Sequence, residues 1–380
     1  MGHGHSHEDK DSEICNETFE ILVLQQTLGV FSMEPPSPQP TTPSNAMKAS
    51  NTLFRARPVV LALGILTPLA LSFSPVVHAE DSFPSRPMTL VIPFPPGGSS
   101  DVVGRQVAKG LSDLLGQPVV IDNKPGAGTA VGAGFVAKAK PDGYTMLLSS
   151  GSTFTANPAI RTNLPYDPVK SFDPIGIVGR IPLIVLAHPH TPPNSVPEFV
   201  AAVKASPDKL TYASFGSGTT SHFAAEIVLH SFGGKMIHVP YRGSAPAMTD
   251  LIGGQVAYSV DTVTAAIPQI KAGKVKAIAV TSAKRSSQLP TVPTFAEAGF
   301  ANINADTWLM LALPKGAPEA IRLKLEKALA ATVSNAAIKE SLQSQGVEVA
   351  FENHKAAAAQ IDKELPLMRA TAARANIKAD

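Results

Sequence analysis

From residue 86 the chain alternates short apolar runs with longer stretches whose apolar positions recur at helical spacing. Apolar runs bounded by Gly, Pro, Asn or Asp read as buried strands, and the periodic stretches as amphipathic helices. This reading gives a strand over 88–94, a helix over 100–116, a strand over 117–123, a helix over 128–140 and a strand over 144–150. Val103, Val107, Leu111, Leu114 and Leu115 form the core stripe of the first helix. The rhythm resumes with strand 181–189, helix 195–206 opened by a Ser195 cap, strand 210–215, helix 220–233, strand 235–241 and helix 244–254. Strand 255–260, helix 264–273 and strand 275–282 follow, and two or three helices, including 317–333 and 354–373, close the chain. Such alternation predicts parallel sheets covered by helices, here in two α/β domains.

The first 79 residues break the pattern. Lys48, Arg55 and Arg57 precede an uncharged run from Pro58 to Ala79, and Val77-His78-Ala79 fits a small-residue cleavage site before Glu80. Basic, apolar and cleavable segments in that order are an export signal. Its purest apolar stretch, Val59–Leu71, contains Pro68 and is too short for a membrane span, which needs about 20 residues. Residues 1–46 read as an over-extended or dispensable leader whose Pro/Ser/Thr-rich part suits disorder. Its "MGHGHSH" start carries histidines without partner ligands.

Composition narrows the picture further. The chain of 380 residues is 44% hydrophobic and 16% charged, with 28 Gly and 34 Pro, which favours a turn-rich α/β protein. Cleavage before Glu80 would leave 28 basic and 23 acidic residues, a net charge of +5, and would remove Cys15, the only cysteine. Disulfide and thiol redox chemistry are then excluded. The positive charge is dispersed, without the blocks that mark nucleic-acid binding, and mildly favours an anionic ligand.

In sheets of this kind ligands sit beyond the carboxyl ends of the strands. Four loops there lack bulk and charge: Pro95–Asp101, Ser149–Thr155, Ser214–His222 and Tyr241–Ser244. A fifth, Asp261–Thr264, carries one carboxylate. Glycine permits close backbone approach, Ser and Thr add hydroxyls, and free N–H groups at a helix start attract anions. The corner at 97–101 suits a carboxylate-sized anion. The candidate ligand residues are Pro96, Gly97, Gly98, Ser99 and Asp101; Ser150, Gly151, Ser152 and Thr153; Ser214, Gly216, Ser217, Gly218, Thr219, Thr220 and His222; and Tyr241, Arg242 and Asp261.

Competing motifs are weaker. "SFGSGTTSHFAAE" at 214–226 fails the spacing of a nucleophile elbow, because Phe215 stands where the first Gly belongs. A hydrolase using Ser217 or Ser221 with His222 is the alternative it leaves open. "GAGFVA" at 132–137 lacks the strand and acidic partner of a dinucleotide fingerprint, and small residues for helix packing explain it better. His188-Pro189-His190 is the nearest histidine pair and lacks metal-ligand spacing; His238, in a strand, reads as a packed core residue. No metal or cofactor is expected.

Taken together, "PSRPMTLVIPFPPGGSSDVVGR", "LGQPVVIDNKPGAGTAVGAGFVAKAKPDGYTMLLSS", "NPAIRTNLPYDPVKSFDPIGIVG", "VPYRGSAPAMTDLIGGQV" and "KAGKVKAIAVTSAKRSSQLPTVPTFAEAGF" resemble the Bug (TctC-like) receptors of tripartite tricarboxylate transporters, in order from about Pro84 to the C-terminus. The resemblance implies a periplasmic, monomeric solute receptor without catalysis. Its fold would be two Rossmann-like α/β domains joined by crossover strands, a type II flytrap: 80–182 with 305–380, and 183–304. It implies a small carboxylate ligand (a tricarboxylate, dicarboxylate, amino acid or aromatic acid) and membrane transporter subunits as partners. A sensor that reads the closed form is a further possible partner. The loop at Pro95–Asp101 would hold one carboxylate, those at Ser149–Thr153 and Ser214–Thr220 would supply donors, and Asp261 would help select the ligand. Ala257-Tyr258 and Arg242 depart from the family pattern. Hinges are expected near Arg180–Pro182 and Ala301–Thr307.

Overall fold

A computed structural model describes residues 83–378. The leader at 1–46, the export signal at 47–79 and the cleavage point before Glu80 lie outside the described residues. The elements are β1 (Met88–Ile92), α1 (Ser99–Leu115), β2 (Val119–Asn123), α2 (Ala130–Ala137), β3 (Thr145–Ser150), α3 (Asn157–Ile160), β4 (Phe172–Ala187), α4 (Val196–Ala205), β5 (Thr211–Ser214) and α5 (Thr220–Ser231). Then come β6 (Ile237–Pro240), α6 (Ser244–Ile252), β7 (Tyr258–Thr262), α7 (Val263–Lys271), β8 (Lys276–Val280), β9 (Asp306–Pro314), α8 (Glu319–Ser334), α9 (Ala336–Ser344), β10 (Glu348–Asn353) and α10 (His354–Ala375).

The strands run in the order β2-β1-β3-β9-β4-β7-β5-β6, with β10 and β8 also paired to β4. Each end of this path has a parallel centre, β2-β1-β3 in one lobe and β7-β5-β6 in the other. The middle is antiparallel, which corrects the expectation of parallel sheets. The cause is that β4 leaves the first lobe and β9 returns to it, so the two run in opposite directions. β4 pairs with β9 from Phe172 to Pro182 and with β7 from Leu183 onward. The change of partner falls at the end of the expected Arg180–Pro182 hinge, and β9 begins within the second one.

Both faces of the first sheet are buried, as helix-covered strands require. Leu90 and Ile92 of β1 pack with Val103, Val107 and Leu111 of α1 and Leu325 and Leu329 of α8. Val91 faces the other way, onto Leu147, Phe154 and Trp308. Leu114 is 53% exposed, so the α1 stripe is narrower than its spacing suggests. In the second lobe Leu183 and Val185 face one core while Ile184 and Leu186 face another. Gly132 is pressed against the Lys124 carbonyl and Pro93, consistent with close helix packing at 132–137.

Glycine in β4 is dictated by β10. A Cβ at Gly179 would stand 2.6 Å from the Glu348 carbonyl oxygen, and one at Gly176 2.8 Å from that of Glu352. Backbone neighbours cannot swing aside as a flexible side chain can. Gly179→Ala is therefore expected to destabilise the protein by about 1–3 kcal/mol, read as a lowered melting temperature; an unchanged melting temperature would show that β10 moves away freely.

Candidate functional site

The carboxyl ends of the parallel strands of both lobes meet at a small inner cavity of about 20 Å³, room for about one water molecule. Phe94, Pro95, Gly98, Ser99, Ser100, Ser150 and Thr307 line it from the first lobe and the crossing strand β9; Phe215, Ser244 and Thr262 line it from the second. None of these side chains is charged. The cleft offers an anion hydroxyls and backbone dipoles.

α1 starts at this cavity. Gly98 provides no side-chain cap, and its carbonyl already accepts from the N–H groups of Asp101 and Val102. The N–H groups of Ser99 and Ser100 thus head the helix at its positive end. α6 does the same from the other lobe, with Gly243 as an uncapped N-cap and Ser244 on the cavity wall. Two helix N-termini from opposite lobes converge on one space, an arrangement suited to an anion. In the opening turn Gly97 is the glycine that the backbone requires, at φ 84°; Gly98 is at φ −80° and its missing Cβ faces only the Pro95 carbonyl at 3.9 Å. Pro96 and Gly97 are exposed.

Asp101 lies under this turn. Its carboxylate accepts from the Gly97 N–H at 3.1 Å, from Arg105 at 3.0 Å on both oxygens and from Asn123 at 3.1 Å. Burial works to raise its pKa, but these donors hold it below the usual carboxylate range. Its role in the structure is to fix the loop that carries Gly98–Ser100.

The expected Ser149–Thr155 loop is a strand end running into a helical segment, with a π-wound turn at Ser152–Ala156. Thr153 points away from the cavity, sharing hydrogen bonds with Ser149 at 2.6 Å and Thr129 at 2.7 Å. Gly151 is backed by Trp308 Nε1 and Glu364 Oε1, at 3.2 and 3.4 Å from where its Cβ would be. Glu364 accepts from Trp308 Nε1 at 2.6 Å, Thr155 at 2.9 Å and Gln360 at 2.5 Å, while burial raises its pKa. Ser152 Oγ crosses to the other lobe and accepts from the Thr220 N–H at 3.0 Å. It thereby caps α5, whose own N-cap Thr219 makes no side-chain cap.

The 214–222 loop divides its residues. Ser214 Oγ lies 2.6 Å from His238 Nε2. The His238 ring stacks on His222 at 3.9 Å between centroids and on Tyr212 at 4.9 Å. His238 is thus half-buried beside the site loop, where the sequence suggests only a packed strand residue. His222 Nδ1 accepts from the Gly218 N–H at 3.3 Å. Gly218 packs near Asn157 and Ile160 of the first lobe, and Thr219 Oγ1 donates to the Gly216 carbonyl. Ser221 Oγ donates to the Val260 carbonyl at 2.6 Å, and Ser217 Oγ is buried without a partner. Neither hydroxyl is held as a nucleophile on a base. Among the described residues no group of three or more His, Cys, Asp or Glu has metal-site geometry.

Gly216, Ser217 and Thr219 face a second, outer pocket of about 190 Å³ with Tyr241, Arg242, Gly243, Gly126–Thr129 and Arg161. Phe94, Pro95 and Phe215 border both spaces, and the two rings meet edge to face at 6.1 Å. Tyr241 also donates its hydroxyl to Asp250 at 2.7 Å. Phe94, Thr307 and Arg161 escaped the sequence reading; only a Phe at the end of the first strand carried any signal.

Asp261 is fully buried behind Ser244 and Thr262. Its Oδ1 accepts from Ser244 Oγ at 2.8 Å and from the Thr262 N–H at 2.7 Å; Oδ2 has no partner. Burial pushes its pKa up to about 6, against the pull of those donors. The folded protein therefore holds the Asp261 proton more tightly than the unfolded chain does, and this residue's contribution to stability falls as pH rises from about 4 to about 6. Asp261→Asn should lose that part of the decline, measured as a flatter plot of unfolding free energy against pH over this window; parallel plots for the two proteins would contradict it.

Comparison with known proteins places the chain in a family. The family model described as "Tripartite tricarboxylate transporter family receptor" matches residues 103–372. Protein BugT of Bordetella pertussis is 35% identical over 289 residues, 76% of this chain and 88% of that protein. The structure of the periplasmic binding protein BugD superposes with a TM-score of 0.75 at 37% identity, over 78% of this chain and 99% of that one. R. palustris Rpa4515, solved with adipate, gives 0.76 at 31% identity over 78% and 99%. The chain therefore belongs to the family of tripartite tricarboxylate transporter receptors, as the Bug proteins do.

Proposed function

We propose that this chain is a periplasmic receptor that captures a small carboxylate between its lobes and hands it, unchanged, to membrane subunits of a tripartite transporter. The observation that carries this reading is the convergence of the α1 and α6 N-termini on one uncharged, hydroxyl-lined cavity. The adipate held by the relative Rpa4515 supports the ligand class. We take 80–182 with 305–380 as one domain and 183–304 as the other, exported as a monomer after cleavage before Glu80. With room for about one water in the inner cavity, the lobes must part to admit a carboxylate and close on it again. Contacts from both lobes give the ligand a higher affinity for the closed state, which is all that closure requires.

Calorimetry of the purified protein against small carboxylates should find one that binds one to one and is recovered unaltered. Turnover, or silence across all of them, would contradict the proposal. Closure has its own test at Gly243. This residue sits at φ 119°, and a Cβ there would stand 2.3 Å from Pro95 Cγ across the cleft. Gly243→Ala should weaken carboxylate binding by roughly tenfold or more, about 1.4 kcal/mol. Equal affinity would show that closure does not bring these two residues together.

A further inference from the structure

One carboxyl group of α10 reaches the π-wound turn at Ser152–Ala156. Glu364 takes two donors on Oε2, Trp308 Nε1 at 2.6 Å and Gln360 Nε2 at 2.5 Å. The Gln360 amide is oriented this way because its oxygen accepts from Arg180 at 3.1 Å. The other oxygen, Oε1, stands 2.9 Å from Thr155 Oγ1, and Thr155 Oγ1 stands 2.8 Å from the Gly151 carbonyl oxygen. A threonine hydroxyl has a single hydrogen to give. With Glu364 ionised, that hydrogen serves one of the two acceptors and leaves the other facing a lone pair at hydrogen-bond distance. A proton on Oε1 removes the conflict. Glu364 then donates to Thr155, the reverse of the bond a carboxylate makes, and Thr155 donates to Gly151.

The surroundings favour the neutral acid. Glu364 is half-buried, and among the described residues no cation forms an ion pair with it. Arg180 of β4 is paired instead with Asp306 of β9 and Glu352 of β10, and Glu348 lies beyond, against Asp306 and Lys284. The π-wound turn and α3 carry no charged side chain. α5 packs against this region with Thr220, Phe223 and Ile227, and its His230 lies at the far end beside Arg374. Burial, with the charge of Asp306 adding to it, raises the Glu364 pKa above its ordinary range against the pull of its donors. A pocket of about 420 Å³, which Glu364 lines with Arg180, Asp306 and Lys363, gives the carboxyl a route to water and so to protons. We infer that Glu364 is a proton-dependent positioning residue: as the neutral acid it braces the π-wound turn through Thr155, and on losing its proton it draws the Thr155 hydroxyl off the Gly151 carbonyl and releases that brace. The turn gives this reach. Its Ser152 Oγ accepts from the Thr220 N–H across the lobes, and a Cβ at Gly151 would lie 3.4 Å from Thr220 Cγ2. A contact between the lobes therefore stands on a group that answers to pH, with no ligand involved.

Trp308 is the only tryptophan of the chain and donates to this carboxyl, so its fluorescence reports the site. Emission of the purified protein, followed from about pH 4 to about pH 9, should show a step above the ordinary glutamate pKa of about 4.3. Glu364→Gln keeps an oxygen for Trp308 and Gln360 and an N–H for Thr155, and it cannot ionise. It should lose the step and emit at every pH as the wild type does in acid. Asp306→Asn should keep the step and move it to lower pH. The melting temperature should follow. A group whose pKa folding raises loses its contribution to stability as pH rises through that window. The wild type should therefore fall more steeply with pH than Glu364→Gln, Asp261 titrating in both. A step that survives Glu364→Gln, one that vanishes in Asp306→Asn, or equal pH slopes of melting would overturn the inference. If Glu364→Gln does not fold, carbon-13 NMR of the wild-type glutamate carboxyls decides instead: one should titrate in step with the Trp308 emission, and none doing so would overturn it.

Discussion

Everything in this molecule hangs on one strand that changes partners. β4 enters as the neighbour of β9 and β10 and leaves as the neighbour of β7 and β8, with the exchange between Pro182 and Leu183. Each lobe can complete its sheet only by borrowing part of this strand. The ladder of hydrogen bonds thus continues through the join, and a small apolar cluster of Ala156, Phe223, Ala372 and Ile377 also spans the two lobes. The same constraint brings the carboxyl ends of both parallel centres to face each other, which is why loops far apart in sequence share one cavity.

That cavity, proposed above to take a carboxylate, has no charged side chain on its wall. Fixed backbone dipoles at two helix starts cost little to reorganise, whereas an arginine or lysine held there would have to be desolvated. The carboxylates nearby are handled in two ways. Asp101 is wrapped by donors and fixes the α1 loop, while Asp261 is buried with one oxygen left over. The contrast lies in supply: Asp101 is given an arginine, an asparagine and a backbone N–H, and Asp261 only hydroxyls and a backbone N–H.

What could be read from the sequence followed local periodicity. Strand–helix alternation located β1, β2, β3, β5, β6, β7 and β8 with their helices, and turn chemistry at Gly97–Ser99 located the α1 corner. β9 was lost because Asp306–Pro314 is a continuous apolar run, which periodicity cannot assign, set in a stretch rich in helix formers. The first half of β4 contains Pro174, Gly176 and Gly179 and reads as loop; only the close approach of β10 explains the glycines. The π-wound turn at 152–156 has no periodic signature at all. Arg161 ends a one-turn helix far from any strand end, and tertiary folding alone brings it to the wall of the outer pocket that Arg242 also lines.

The hydroxyl of Ser152 on the first N–H of α5 has a wider consequence. It is a bond between lobes that water can replace almost without loss, because a solvated helix end and a solvated serine are nearly as well off as the pair. Parting the lobes there exchanges one satisfied state for another. Of the contacts between α5 and the other lobe, this polar one therefore resists separation least, while the buried cluster of Phe223 with Ala156, Ala372 and Ile377 resists it most.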